Sequence, residues 1–186
     1  MMEKIKKVSC FLLALCMVFL LAACDSGGGS DNDDIDLAND PFPAIVVDPY
    51  LPADFAGLNG SLYKSDLEIE EEVIAGVTYV TKELTCVYLF DNLSFVSSST
   101  KIYIKKSTGT VDEAKTEKEP EAKGTYTLTG NKTNGTLNVS RTHEWEDDPA
   151  PGHWEADPET KNNISISGGV FTITESGMSI RFTLFN

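Results

Sequence analysis

Residues 84–90 read Leu-Thr-Cys-Val-Tyr-Leu-Phe, and this stretch decides the expected fold. Every second residue of this stretch has a largely apolar side chain, namely Leu84, Cys86, Tyr88 and Phe90. Because successive side chains of a β-strand point to opposite faces, the alternation predicts a strand with a buried apolar face. The Asp91-Asn92 pair that follows is typical of a turn.

The same two-residue period recurs toward the C-terminus. Further short strands are predicted at 95–96, 102–104, 124–130, 137–139, 164–166, 171–173 and 180–184. Turns rich in Gly, Asn and Ser separate them, and no segment has a sustained 3.6-residue period. The sequence therefore predicts an all-β fold, a small antiparallel barrel of about eight strands, with a β-sandwich as the alternative.

Three other segments have no comparable apolar alternation. Residues 107–123, STGTVDEAKTEKEPEAK, have almost no large apolar side chains and are predicted to form a solvated loop or hairpin tip. The run Glu70-Glu71-Glu72 is interpreted as solvated rather than as an acid–base pair. Ile45-Val46-Val47 is a candidate for an added edge strand.

Three short motifs resemble the small lipocalin-like domains of bacterial lipoproteins. They are Gly60-Ser61-Leu62-Tyr63, the turn Leu89-Phe90-Asp91-Asn92, and the strand 124–131, GTYTLTGN. The resemblance covers roughly residues 57–186 and departs from true lipocalins at Leu62, where a tryptophan is usual. It implies a barrel whose open end holds a small apolar or amphiphilic ligand.

The first 24 residues read MMEKIKKVSCFLLALCMVFLLAAC, a positive start followed by an apolar run. The run Phe11–Ala23 is too short to cross the roughly 30 Å apolar layer of a bilayer as a helix. Leu21-Ala22-Ala23-Cys24 resembles the lipobox of bacterial lipoproteins. The resemblance implies that residues 1–23 are a cleaved signal peptide and that Cys24 carries lipid. The protein is then expected outside the cytoplasm, with the outer membrane or cell surface favoured over the inner membrane.

The sequence divides into a signal peptide, 1–23, a segment 24–53 and a barrel domain, 54–186. Segment 24–53 contains the lipidated cysteine and an acidic tether rich in Gly, Ser, Asp and Pro. A coil of that length would span about 30 Å. We therefore expect the barrel to stand clear of the membrane surface.

The net charge excludes several classes of partner. The full chain has a formal charge of −14, and removing a signal peptide with three lysines and one glutamate leaves −16. Nucleic acid is excluded as a partner, because phosphate binding requires clustered Lys and Arg. A polybasic membrane patch is also excluded. The lipid on Cys24 is the expected membrane contact.

The tryptophans and histidines of the chain all lie in one segment: His143, Trp145, His153 and Trp154. A metal site is disfavoured because the segment has neither an H-x₃-H pair nor a calcium-loop motif. A ligand site remains open, with the tryptophans covering an apolar cavity or stacking on a sugar. The favoured interpretation is a hairpin with its tip at Pro149–Gly152 and the two tryptophans packed across its strands.

No arrangement typical of catalysis is found. There is no nucleophile elbow, no His-paired Ser or Cys and no phosphate-binding Gly loop, so no enzyme, cofactor or metal is predicted. Cys86 has no Lys, Arg or His beside it and is interpreted as an inert core thiol. The expected function is a membrane-anchored lipoprotein that binds a small apolar ligand. The alternative is a structural or interaction protein whose filled barrel presents acidic loops to an envelope or host protein.

Overall fold

The chain is all-β in a computed structural model that describes residues 40–147, 152–175 and 178–185. Its ten strands are β1 Gly60–Ser65, β2 Glu68–Ile74, β3 Val77–Phe90, β4 Ser94–Lys105, β5 Thr110–Val111, β6 Glu117–Gly130, β7 Asn134–Glu146, β8 His153–Ser167, β9 Val170–Glu175 and β10 Met178–Phe185. The described part of the chain also contains a short 3-10 turn, Ala53–Phe55, and no helix in it is long and apolar enough to cross a membrane.

Eight of these strands close an antiparallel barrel, and β2 and β5 extend it. Closure comes from β1, which pairs with β3 on one side and with β10 on the other. Strand β2 continues β1 along the same edge of β3, with Lys64 opposite Cys86 and Glu68 opposite Glu83. The predicted eight-stranded barrel is confirmed, and the sandwich alternative is not formed.

Several strands are longer than the short apolar segments predicted from the sequence. Strands β3, β4, β6, β7 and β8 contain 12 to 15 residues each. Segment 107–123 is only partly a loop, because β6 already begins at Glu117 and pairs with β4. The prediction was wrong for residues 117–123, because backbone pairing with an ordered neighbour extends a strand beyond its apolar residues.

Apolar side chains cover both faces of the sheet formed by β3 and β4. Inside the barrel a cluster of eleven buried residues comprises Tyr63, Val87, Leu89, Phe95, Tyr126, Leu137, Val139, Ile166, Phe171, Ile173 and Phe182. On the outer face a second cluster comprises Val47, Val80, Leu84, Cys86, Ile102 and Ile104. The outer cluster requires a cover, because exposed apolar surface on this scale is unfavourable in water.

Residues 40–55, here called the strap, provide that cover. Val47 is 5% exposed within the outer cluster, whereas its neighbour Val46 is 75% exposed. Phe42 and Ile45 also pack against the cluster. Residues 45–47 form no strand, so the predicted edge strand was wrong. Single side chains of an irregular segment pack against the outer face of the sheet instead.

A buried lysine holds the strap. Lys82 is fully buried, and its Nζ donates to Oδ2 of Asp40 at 2.5 Å, to the carbonyl of Phe42 at 2.5 Å and to that of Ile45 at 2.7 Å. These three oxygens match the three donors of an ammonium group. Ser98 adds a hydrogen bond from Oγ to the carbonyl of Tyr50 at 2.5 Å. Residues 40–53, predicted as tether, therefore pack on the barrel.

Candidate functional site

One end of the barrel interior is lined by carboxyl side chains. Val87 and Leu89 of β3 and Phe95 of β4 belong to the interior cluster and therefore identify the inner face of these strands. Because side chains alternate along a strand, residues an even number of positions from these three also face inward, as do the residues paired with them. The resulting group, here called the acidic end, comprises Glu68, Glu70, Glu72, Glu83, Glu117, Glu119 and Glu121.

The two-residue period of a strand explains how the acidic end forms. Glu70 and Glu72 pair with inward-facing positions of β3 and are half-buried. Glu71 between them is exposed and binds Nζ of Lys106 at 2.9 Å on the outside. The interpretation of the whole 70–72 run as solvated was therefore wrong for two of its three residues.

A bulge in β6 places Glu121. Ser97 of β4 pairs with Ala122 and Ser98 pairs with Pro120, so Glu121 is the extra residue between them. The hydroxyls of Ser97 and Ser99 lie beside its carboxyl group. Bulges redirect a side chain in this way.

Lys101 is the ammonium group within the acidic end. Its Nζ lies 2.5 Å from Oε1 of Glu72, and both side chains are largely buried. Burial alone lowers the pKa of Lys101, but the hydrogen bond and charge of Glu72 outweigh that effect and raise the pKa to about 12. Tyr103 donates from its hydroxyl to Oε1 of Glu117 at 3.2 Å. Lys101 therefore remains charged and neutralises one carboxylate.

Four carboxyl groups of the acidic end, those of Glu68, Glu83, Glu119 and Glu121, bind protons more tightly than ordinary glutamates. Burial, with the charge of Glu83 added, raises the pKa of Glu121 to about 8, and the nearby Ser hydroxyls offset only part of that rise. Burial and the charges of Glu70 and Glu83 raise the pKa of Glu68 to about 7. Burial also raises the pKa of Glu83 and of Glu119. The acidic end can therefore exchange protons near neutral pH.

Metal binding does not follow from these carboxyl groups. Within the described ranges, no group of three or more His, Cys, Asp or Glu side chains is arranged to hold a metal ion. The chemistry that the acidic end offers is proton binding.

The two tryptophans pack as the hairpin interpretation predicted. Trp145 of β7 lies opposite Trp154 of β8, with ring centroids 5.2 Å apart and planes at 78°. Nε1 of Trp145 donates to Oδ1 of Asp147 at 2.7 Å. Nζ of Lys123 lies 4.3 Å from the ring centroid of Trp154. The predicted hairpin is confirmed, although residues 149–151 of its expected tip lie outside the described residues.

The two histidines are not brought opposite each other. His143 is paired with Ala156, and His153 is paired with Glu146. Nδ1 of His143 hydrogen-bonds to Oγ1 of its neighbour Thr142 at 2.9 Å. The register therefore does not place the two imidazole groups opposite each other. Cys24 lies outside the described residues.

Over most of its length, β8 has a described strand partner on one edge only, which is β7. The described pairing of β8 with β9 is limited to Ser167 and Val170. Pro158, which has no N–H, and Asn163, with φ 60°, interrupt the unpaired edge. Natural edge strands use such residues to prevent uncontrolled pairing with other chains.

A small pocket lies where β8 separates from β9. It is lined by Val139, Arg141, Glu159, Lys161, Ile164 and Ile173, and its free volume of about 10 Å3 is roughly what one water molecule needs. Arg141 is held at its rim by Oδ2 of Asp157 at 2.7 Å and Oε2 of Glu159 at 3.1 Å. A small-molecule ligand does not fit this pocket as it stands.

Neither protein-family models nor curated proteins nor solved structures give a match to the chain. We therefore argue its function from the described geometry. The acidic end was missed from the sequence, although a signal was present. Glu117, Glu119 and Glu121 have the same two-residue spacing as Glu68, Glu70 and Glu72, which indicates strands with one acidic face.

Proposed function

We propose that this protein is a lipid-anchored extracytoplasmic lipoprotein whose filled barrel presents the β7–β8 hairpin to an envelope or host protein. The observation that carries the proposal is the content of the barrel interior. Eleven buried apolar side chains fill one part of it, and carboxyl groups with Lys101 line the other. A barrel of eight strands is narrow enough for side chains to fill.

The hairpin has the composition of a recognition surface. It combines the half-exposed Trp145 and Trp154 with acidic positions, of which Asp147 and Glu155 are exposed. Aromatic side chains are enriched where proteins bind one another. Nζ of Lys123 lies over the ring of Trp154, so this ring can bind a cation. A partner with basic side chains matches both features.

The proposal of a lipid anchor is based on the sequence of residues 1–24 and on the position of the strap. Residues 25–39 separate Cys24 from Asp40, where the strap begins. Membrane attachment is tested by Cys24→Ala, which should move the protein from the membrane fraction of the cell to the soluble fraction. Retention of the variant in the membrane fraction would contradict lipid anchoring at this residue.

The small-molecule alternative requires a cavity of suitable volume in the barrel. Binding sites for drug-sized ligands occupy about 300–1,000 Å3, and the pocket beside Val139 has about 10 Å3. An apolar ligand would have to displace part of the interior cluster or open the acidic end. Titration with fatty acids, haem and simple sugars tests this, because a bound ligand raises the melting temperature.

The proposed role is tested by photo-crosslinking in living cells. A crosslinking amino acid at Glu155 of the hairpin is compared with one at Thr183, an exposed position on β10. We expect a discrete crosslinked protein from position 155 and none from position 183. Equal crosslinking from both positions, or none from either together with saturable ligand binding, would favour the small-molecule alternative.

A further inference from the structure

We propose that the acidic end is a proton-operated latch, which holds β2 against the barrel when its carboxyl groups are protonated and releases β2 when they ionise. The device is independent of the partner proposed above. It follows from which side chains meet at this end and from how β2 is attached.

The acidic end gathers far more carboxyl groups than ammonium groups. Glutamates of β2, β3 and β6 meet here, and Asp147, which follows β7, contacts Glu119. Lys101 of β4 faces them, and Tyr103 of the same strand binds Glu117. Towards the mouth, Lys105 pairs with Asp112 at 3.6 Å, Tyr79 donates to Asp112 at 3.1 Å and Lys115 lies 5.8 Å from the ring centroid of Tyr79.

Two pairs of carboxyl groups within this group favour a proton. Glu68 lies beside Glu70, and Glu119 lies beside Asp147. A proton on one member of each pair removes the repulsion between them, because a protonated carboxyl group can donate to its neighbour whereas two carboxylates can only accept. The pKa of Glu68, raised to about 7, is consistent with its keeping that proton near neutral pH.

Loss of these protons converts attraction into repulsion. Glu68 lies directly opposite Glu83 in the register and beside Glu70. With all three ionised, Lys101 can neutralise only part of the charge, and it is already paired with Glu72. Like charges held together in a poorly solvated site destabilise the closed arrangement.

Strand β2 is the element that can yield to this repulsion. Among the described residues it pairs only with β3, whereas β1 is paired on both sides. Asp66 and Leu67 interrupt the strand between β1 and β2, and the turn at Ala75-Gly76 has positive φ angles at both residues. The strand can therefore separate between these two points without breaking the closed barrel.

Hydrogen–deuterium exchange of the purified full-length protein tests the latch. Protection factors, corrected for intrinsic exchange, are measured for residues 69–74 of β2 and 61–65 of β1 from pH 5.5 to pH 8.5. A carboxyl with a pKa of about 7 when closed and 4.5 when open makes opening about thirtyfold more favourable across this range. We expect protection of β2 to fall about tenfold to thirtyfold relative to β1.

Two matched variants identify the groups responsible. Glu68→Gln removes a titrating carboxyl from the acidic end, and Glu71→Gln changes the exposed outer face of the same strand. We expect Glu68→Gln to remove most of the pH dependence and Glu71→Gln to keep it, with Glu70→Gln replacing Glu68→Gln if that variant fails to fold. Protection of β2 that does not change with pH in the unmodified protein, or equal behaviour of the inner and outer variants, would overturn the proposal.

Discussion

Replacing Asp40 by asparagine should destabilise the protein strongly, although Asp40 is the first residue that the structure describes. The ammonium of Lys82 is fully buried against the strap, and the Asp40 side chain is 22% exposed. Asparagine has nearly the same shape but carries no charge. The substitution therefore leaves a buried ammonium group without its counter-charge.

The size of the effect follows from the environment of the pair. Removing one partner of a fully buried ion pair costs about 3–5 kcal/mol. Two carbonyl oxygens, of Phe42 and Ile45, still accept from Lys82, and Asp40 is partly solvated. We therefore expect Asp40→Asn to lower the free energy of unfolding by about 2–3 kcal/mol.

Urea denaturation followed by fluorescence and circular dichroism measures this change. With an m-value of about 2 kcal/mol/M, the midpoint should fall by about 1–1.5 M. Asp48→Asn, at an exposed position of the same strap, is the matched control and should change the free energy of unfolding by less than about 0.5 kcal/mol. A loss below about 0.5 kcal/mol for Asp40→Asn would refute the claim that the ion pair holds the strap.

Three further changes test other parts of the molecule. Because the pKa of Glu121 is raised to about 8 on folding, its contribution to stability is present below about pH 4.5 and is lost as the pH rises through 8. Between pH 5 and pH 9 the free energy of unfolding of Glu121→Gln, measured by urea denaturation, should therefore rise by about 4 kcal/mol relative to that of the unmodified protein. A difference that does not change with pH would contradict this. Trp154→Leu, which removes the ring packed on Trp145, should cost about 1 kcal/mol, and an unchanged denaturation midpoint would count against the pair. Burial raises the pKa of Cys86 to about 12, so a thiol reagent at pH 8 should react with this residue only in urea, and rapid reaction of the folded protein would show that the strap opens readily.

The barrel could be predicted from the sequence because apolar alternation is a direct consequence of strand geometry. The segment Leu84–Phe90 lies in β3 as expected, with Leu89 inside the barrel and Cys86 on the outer face. The strand lengths could not be predicted in the same way. Residues 117–123 form a strand because β4 and β7 pair with them, and an apolar pattern contains no information on such pairing.

The strap could not be predicted because its contacts join residues far apart in the chain. Its Pro and Asp content is typical of a tether, and Lys82 occupies a position that alternation alone assigns to an ordinary strand. Only the fold brings Nζ of Lys82 to Asp40, 42 positions earlier. Burial of a lysine is unusual unless oxygen atoms surround its ammonium group, and the sequence does not show where they are.

The candidate site was predicted in part. The packing of Trp145 against Trp154 followed from a hairpin with two equally placed aromatic residues. The acidic end was not recognised because glutamates on a strand are usually solvated. The partial burial of all of them except Glu117 depends on closure of the barrel around them, which is a property of the whole fold.

A carbon-13 NMR titration of the glutamate side chains from pH 4 to pH 9 tests most directly the claim that carboxyl groups line one end of the barrel. The structure predicts that Glu121 titrates near pH 8 and Glu68 near pH 7, well above the ordinary value of 4.5. Glu71, which is exposed on the outer face of the same strand, is followed in the same spectra for comparison. If Glu68 and Glu121 titrate together with ordinary glutamates near pH 4.5, these groups are solvated, and the acidic end described here does not exist.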